Sequence, residues 1–578
     1  MRKNKDGRLH GAVYPSFFKN ALKVISLILI FFIFVLPIFR LILMSFTGDD
    51  GITLAFYSEV LFSERTWNVL VNTTIIVILS TLISSVLGVT FSWLIAYTDI
   101  RWKNLFQLLI LLPFIIPSYI ISLAWVDFFG GQGTIVNMFE QIGMEISGWN
   151  LYSMSGIIVV MGISHAPLVY LFTVNVLRRI PREMELAARA SGAGRLASFR
   201  KILLPMALPG IASGTFIAFL GSLDNFGIPA FLGIPGNITV LSTYIYQQVI
   251  GFGTSSFNNA AVLSVILGVM AVVGLLIQWL FLRKSKRIQT TKLDMEPRYH
   301  LGKKKLPVEI LLIVFFLFIS IFPLLSMIAS SFLNAVGLSY SPENLTLDNF
   351  EFVLTSSSSY AAIMNSIKFA GVTALLGILF GTIIAYIRVR KGTRTIRFVE
   401  TAVTIPYALP GTVLALAMIF TWINPIPGVD WNPGIYGSAM IMYIAYFTRF
   451  LLLQVRGSIT AFQQVDIEIE EAAQVNGARP VAKWRKILMP LILPGVLSGT
   501  VLVFLTALTE LTVSALLYSS TSQTIGVSIL SFQQSGYSLL ANAFSTLIIV
   551  AIIGVYFLLF VIQYIIRKKV ASDAHKNK

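Results

Sequence analysis

The stretch EIEEAAQVNGARPVAKWRKILMPLILPG, Glu468 to Gly495, breaks a strongly apolar chain with a short run of charge. Read locally, it spells two short helices and a hinge. Asp466 is placed to cap the first helix, and Glu468, Glu470 and Glu471 put negative charge into its first turn, where the helix dipole favours it. Asn476-Gly477 supplies the stop, because glycine takes the left-handed conformation that a helix end often needs. A second short helix then carries Arg479, Lys483, Arg485 and Lys486 and runs into the next apolar segment at Ile487. The product is a protruding elbow. Ala472 and Ala473 give it a thin face flanked by charge, suited to a groove on a partner. The alternative is an amphipathic connector lying in a membrane interface and held there by its basic residues.

A second copy bears on the choice between these readings. EMELAARASGAGRLASFRKILLPMALPG, Glu183 to Gly210, aligns without gaps: Glu183 meets Glu468, Gly192 meets Gly477, Pro205 meets Pro490 and Gly210 meets Gly495. The register continues through Gly214-Thr215 on Gly499-Thr500. In this copy Pro181 suits the first helical position, and Ser191-Gly192 gives the stop. Two elbows in one register favour a partner that is itself twofold symmetric.

Around the elbows the chain is that of a membrane protein. Of its 578 residues 56% are hydrophobic and only 12% charged, against roughly 25% charged in soluble domains. A spanning helix needs about 20 mostly apolar residues, and twelve such runs are expected. The first six are Val24–Phe46, Val69–Thr98, Leu105–Val126, Trp149–Leu177, Ile202–Leu223 and Phe257–Leu282. The second six are Ile310–Leu333, Phe369–Ile387, Phe398–Ile423, Trp431–Thr448, Ile487–Thr509 and Leu539–Ile566. The first is too long and too richly flanked for a cleaved signal peptide.

The net charge of +17 would suit a nucleic-acid partner, but its placement argues against one. Basic residues fill alternate loops: the N-terminal tail, Arg101 and Lys103, Arg178–Lys201, Arg283–Lys305, Arg388–Arg397, Arg479–Lys486 and Arg567–Lys569. The intervening loops hold almost none, so the positive-inside rule puts both termini and both elbows in the cytoplasm. With no cysteine, disulfides, thiolate zinc sites and iron–sulfur clusters are excluded, and with four histidines no metal site is expected.

The fold expected is therefore an all-α integral membrane protein of about twelve spans in two parallel six-helix repeats, related by a pseudo-twofold axis along the membrane normal. Residues 1–282 form the first repeat, with its elbow at 178–206. A basic linker covers 283–306, and residues 307–578 form the second repeat, with its elbow at 463–491. Paired prolines enter the third span of each half, in LLPFIIPSYIISLAWV (Leu111 to Val126) and TIPYALPGTVLALAMI (Thr404 to Ile419). They free backbone carbonyls that need protein or water, which places these segments toward the bundle interior unless they are simple kinks.

Ionisable groups within spans are functional candidates. Asp224 and Asn225 end the fifth span, and Glu510, at the repeat position of Asn225, ends the eleventh. They either face one another near the axis, where they would meet a cation or polar substrate, or lie solvated at the outer mouth. His165 and Arg449, in the fourth span of each half, read as packing or interface anchors.

The pattern Glu-Ala-Ala, three residues, Gly, nine residues, Ile-x-Leu-Pro is met by Glu471-Ala472-Ala473, Gly477, Ile487 and Pro490, with Met489 in place of Leu. In the first copy Ala187, Ala188, Gly192, Ile202, Leu204 and Pro205 fit, while Leu186 stands where Glu is usual and Glu185 lies one place earlier. This resembles the cytoplasmic loop of the membrane subunits of binding-protein-dependent ABC importers, and the resemblance covers nearly the whole chain. It implies that each elbow is a coupling helix, with Glu185, Ala187, Ala188, Gly192, Glu471, Ala472, Ala473 and Gly477 as the coupling residues. It further implies two copies of a cytoplasmic ATPase that hold ATP and Mg, an extracytoplasmic substrate-binding protein, and a bacterial inner membrane around the pore. The chain itself lacks a G-x-x-x-x-G-K-[ST] loop and should be a transport subunit with no cofactor of its own, not an enzyme.

LPGTVLALA (Leu409 to Ala417) and the Glu-Leu-Thr at the end of the eleventh span resemble fused ferric-iron importers. Related permeases carry 2-aminoethylphosphonate, thiamine or polyamines. Two readings outside this class stay open: an ion-coupled secondary transporter using Asp224 and Glu510, and a membrane scaffold that docks a cytoplasmic complex. Leu186 opposite Glu471 implies that the two elbows are unequal.

Overall fold

A computed structural model describes residues 16–48, 51–251, 256–283, 294–423 and 432–576. The basic N-terminal tail, residues 284–293 of the linker and Trp431 lie outside the described residues. The described chain is helical. Its one paired ribbon is two residues per strand, Thr47–Gly48 against Gly51–Ile52.

Among the described residues ten helices are long and apolar enough to cross a membrane, or twelve when each of two bent pairs counts as one span. In the first half they are Lys23–Met44, Glu64–Tyr97, the pair Lys103–Ile115 and Ser118–Glu140, Met154–Leu177, Phe199–Asp224 and Ser256–Leu282. In the second they are Gly302–Ser330, Ser357–Arg390, the pair Arg394–Ala408 and Gly411–Ile423, Ala439–Gln463, Pro480–Leu508 and Ser538–Phe557. All twelve expected spans find a counterpart.

The tenth is displaced. Expected over Trp431–Thr448, it begins at Ala439 and ends at Gln463. Gly434 and Gly437 hold positive φ, which ends any earlier helix, and Ser438 caps the new start through the Met440 amide. The helix then runs on through Arg449 and Gln454, whose polarity hid it from a hydropathy reading. Gln454 is buried and bonded to Ser458, Thr500 and the Val496 carbonyl. Polar side chains act here as glue between helices.

The proline-bearing third spans are breaks, not kinks: the two pieces meet at 104° in the first half and 111° in the second. Ile116 and Leu409, each preceding a proline, are extended, as the proline ring forces on its predecessor. The second piece in the second half, Gly411–Ile423, is buried on every side from Gly411 to Thr421, so the break lies inside the bundle as expected.

The repeats exchange their first helices. The first span packs on the broken ninth, and the seventh packs on the broken third. Within each half the second, fourth and fifth spans form the central packing unit. Small residues allow the closest crossings there: a Cβ on Gly214 would come within 2.8 Å of the Val169 Cα, and one on Gly457 within 3.0 Å of the Gly499 Cα. The largest apolar core runs through both halves, so the two repeats fold as one body around their mutual interface.

Candidate functional site

Both elbows have the local structure their sequences specify. The first is the helix Arg182–Ala190, ended by Ser191 and by Gly192 at φ +86, then a short helix, Arg195–Ser198, that enters the fifth span. The second is Ile467–Val475, ended by Asn476 and by Gly477 at φ +77, then Pro480–Lys483. Each stop closes with the same pair of bonds: Gly192 N to Arg189 O and Ala193 N to Ala188 O, Gly477 N to Gln474 O and Ala478 N to Ala473 O. Two details differ from expectation. Pro181 is the cap residue, not the first helical one, and the Asp466 side chain makes no capping bond.

The carboxylates divide into two kinds. Glu185 and Glu470, which share a repeat position, are both buried. Glu470 accepts from Arg390 Nε at 2.6 Å and Lys483 Nζ at 3.2 Å. Glu185 accepts from the Tyr299 hydroxyl and lies 3.7 Å from Arg298 Nη1. Burial and then the Glu185 carboxylate push the Tyr299 hydroxyl well above its ordinary pKa, so it stays a donor. Glu185 thus faces inward and anchors its elbow, while Glu471 is exposed at the rim. In the first copy, Leu186 takes the exposed place, 52% open. Ala187, Gly192, Ala472 and Gly477 are exposed, Ala188 is half-buried and Ala473 is buried. Val475, Val481, Ile467 and Ile469 extend an apolar surface over the second elbow, and Met184 does so on the first. Exposed apolar surface of this kind, rimmed by charge, suits contact with a partner or with the membrane interface.

Inside the bundle, one guanidinium collects the candidate acids. Asp224 closes the fifth span, with Oδ1 accepting from Gly411 N at 2.6 Å and Oδ2 from Arg449 Nη2 at 2.8 Å. Arg449 also donates to the Leu409 carbonyl at 3.4 Å and places Nε 4.0 Å from Glu510 Oε1. The contact joins the two repeats at the break of the ninth span, one of whose freed carbonyls is thereby partnered. A Cβ on Gly411 would come within 2.7 Å of the Thr512 Cγ2 and 3.1 Å of the guanidinium carbon, so a side chain there would push on both neighbours.

Glu510 spends its remaining capacity locally, accepting from Val513 N, Ser514 N and Ser514 Oγ. Asn225 does the same in its own half, accepting from Ile228 N at 2.9 Å. The two are equivalent caps, one per repeat. Asp224 and Glu510 come together through Arg449, while Asn225 does not join them. His165 bonds to the Met161 carbonyl and Ser222 and packs as expected.

Arg449 is the functional candidate that sequence reading undervalued. A charge within a span was the available signal, masked because its helix had been placed too early. Asp127 went unnoticed altogether. From the third span it meets Ser330 of the seventh at 3.0 Å and Asn542 of the twelfth, another polar tie across the repeats. Among the described residues, no group of three or more His, Cys, Asp or Glu is placed to hold a metal ion.

Comparison with known proteins agrees with the duplication. The family model described as "Binding-protein-dependent transport system inner membrane component" matches twice, over residues 88–290 and 377–572. A ferric transport system permease protein of Actinobacillus pleuropneumoniae is 25% identical over 480 residues, 82% of this chain and 68% of that one. A molybdenum transport system permease protein of Escherichia coli is 30% identical over 206 residues, 35% of this chain and 87% of its own. Among solved structures, a bacterial alginate ABC transporter with its pentasaccharide-bound periplasmic protein gives a TM-score of 0.39 at 22% identity, covering 49% of this chain and 98% of that one.

Proposed function

We propose a ferric-iron cargo for this chain, which belongs to the family of binding-protein-dependent transport system inner membrane components and is a multi-pass inner-membrane transport permease. One chain supplies both halves of the pore. The cargo rests on a relative that matches 82% of the chain and is a ferric transport permease; the molybdenum permease matches about one repeat. The charge at the repeat interface supports the same choice. Asp224, paired with Arg449 and 33% exposed, puts an open carboxylate at the repeat interface, which suits a cation better than an oxyanion.

In this reading the elbows seat on two copies of a cytoplasmic ABC ATPase, where ATP and Mg are bound. An extracytoplasmic binding protein delivers cargo at the other face, and both termini are cytoplasmic. The exposed Glu471, Ala472 and Gly477, and Ala187 and Gly192 opposite them, would touch the ATPases. ATP-driven closure of the pair would move the two elbows together and swing the repeats about their interface, a two-state rearrangement of packed bodies. An ion-coupled alternative would use carboxylates at 224 and 510 as free proton or cation sites, but both are engaged by Arg449 and backbone amides.

The test is uptake into proteoliposomes carrying this chain with its ATPase and binding protein. Ferric iron should accumulate with ATP, and excess molybdate, sulfate, thiamine, spermidine or 2-aminoethylphosphonate should not compete. Competition by any of these would reassign the cargo, and uptake driven by an ion gradient without the ATPase would reject the class of mechanism.

A further inference from the structure

The two buried glutamates are held by arginines that come from unrelated places in the chain. In the second repeat the arginine is Arg390, at the end of the eighth span. It binds Glu470 and donates through Nη2 to the Val465 carbonyl at 2.8 Å. In the first repeat the second span ends in Tyr97, and the arginine is supplied instead by the segment that leads into the seventh span. Arg298 pairs with Glu185 and donates through Nη2 to the Ile180 carbonyl. Ile180 and Val465 share a repeat position, as do Glu185 and Glu470. The guanidinium therefore takes the same place in both elbows, between the carbonyl just before the coupling helix and the carboxylate within it, hydrogen-bonded to that carboxylate in the second elbow and ion-paired with it at 3.7 Å in the first.

The segment that carries Arg298 is not a slack tether. Its side chain is 2% exposed, sits 4.5 Å over the Tyr97 ring and bonds to Asp294. The backbone amides of Arg298 and Tyr299 both donate to the Tyr97 carbonyl, and that of Asp294 to the Arg178 carbonyl. Leu301 N and Lys305 Nζ then fix Asp99, and the chain enters the seventh span three residues before Lys305. The seventh span packs on the third span of the first repeat.

We infer that residues 294–301 are a strut of the first coupling elbow, with Arg298 the positioning residue that stands in for Arg390 and ties that elbow to the seventh span. The inference rests on the reading of the elbows as coupling helices. Its consequence is that a push on the first elbow reaches the seventh span through Glu185 and Arg298, while among the described residues the pair in the second elbow, Glu470 and Arg390, lies within its own repeat.

The primary test needs no ATPase. Hydrogen exchange is measured on the purified full chain in lipid nanodiscs for wild type, R298A, R298K and R390A. Removing one partner of a buried pair is costly, so R298A should speed exchange across 182–190 by about tenfold or more and leave 467–475 unchanged. R390A should do the reverse, and R298K should recover most of the protection. Unchanged exchange at the first elbow in R298A, or an equal rise at both elbows, overturns the assignment. In the assembled transporter, R298A should lower cargo moved per ATP hydrolysed, with R298K restoring it; an unaltered ratio overturns the positioning role. Because the exchange pattern is read without partners, failure of the coupling-helix reading would leave it standing and is told apart.

Discussion

Replacing Arg449 with alanine should destabilise the bundle and disable transport, for reasons that can be sized. The guanidinium gives up a charge-assisted bond to Asp224 at 2.8 Å, worth roughly 1.5–3 kcal/mol. It also gives up an attraction to Glu510 across 4.0 Å, about 4 kcal/mol at an effective dielectric of 20. Release of the buried guanidinium from its desolvation cost offsets part of this. Asp224, one-third open, partly rehydrates, and Glu510 keeps its amide and hydroxyl donors. The net loss should be about 3 kcal/mol, the low end for an orphaned buried charge. In a chain of 578 residues that corresponds to a fall in Tm of about 2–3 °C. Thermal unfolding in nanodiscs at fixed scan rate reads the shift, and ATP-driven uptake reads the function. The double variant R449M/D224N removes both members and should regain most of the lost stability, since a neutral pair leaves fewer stranded charges. A Tm for R449A equal to wild type, or a double variant less stable than R449A, would refute the claim that this guanidinium holds the repeats together.

Substituting Gly477 with leucine should abolish uptake while leaving insertion and Tm nearly intact. Its φ of +77 costs a side chain about 1–2 kcal/mol, but no atom lies within 4 Å of an added Cβ, so the obstruction is to a partner. Normal uptake by G477L would count against coupling through this elbow. Asp99 should make the strut pH-sensitive. The Leu301 amide, and then Lys305, hold its carboxyl below the ordinary carboxylate range, so its stabilisation is present above the ordinary pKa and is lost as pH falls through the lowered value. Exchange at Leu301 should rise on acidification below pH about 4, and D99N should show the raised exchange at every pH; equal pH profiles for D99N and wild type would exclude this role.

Spans and elbows were legible because each is encoded locally, the former in runs of apolar side chains and the latter in helix stops at Gly192 and Gly477. The tenth span was misplaced because Arg449 and Gln454 look unsuited to lipid, and it is neighbouring helices that accommodate them. The exchange of first helices was illegible, since nothing in Lys23–Met44 names the ninth span as its partner. For the elbow carboxylates the signal was present. The constant register sets Glu185 against Glu470, whereas the Glu-Ala-Ala pattern points to Glu471. Burial separates the two roles: the shared glutamate anchors, and the unshared one at 471 faces outward.

The duplication is thus imperfect at three points where the repeats meet one another. Thr509 occupies the repeat position of Asp224 and bonds only to its own helix, so the charge bridge to the opposite half exists once. Asp127 ties the third span to the seventh, whereas Phe420 stands at the matching place after the break of the ninth. Arg298 joins the seventh span to the first elbow, while the second elbow is braced from within by Arg390 and Lys483. Each of these cross-repeat ties starts from the first repeat and ends on the second. A fused chain permits this, because both halves are always present in one copy and neither surface must match itself. The two elbows therefore share a shape but not a mechanical connection, and variants at equivalent positions should not have equal effects.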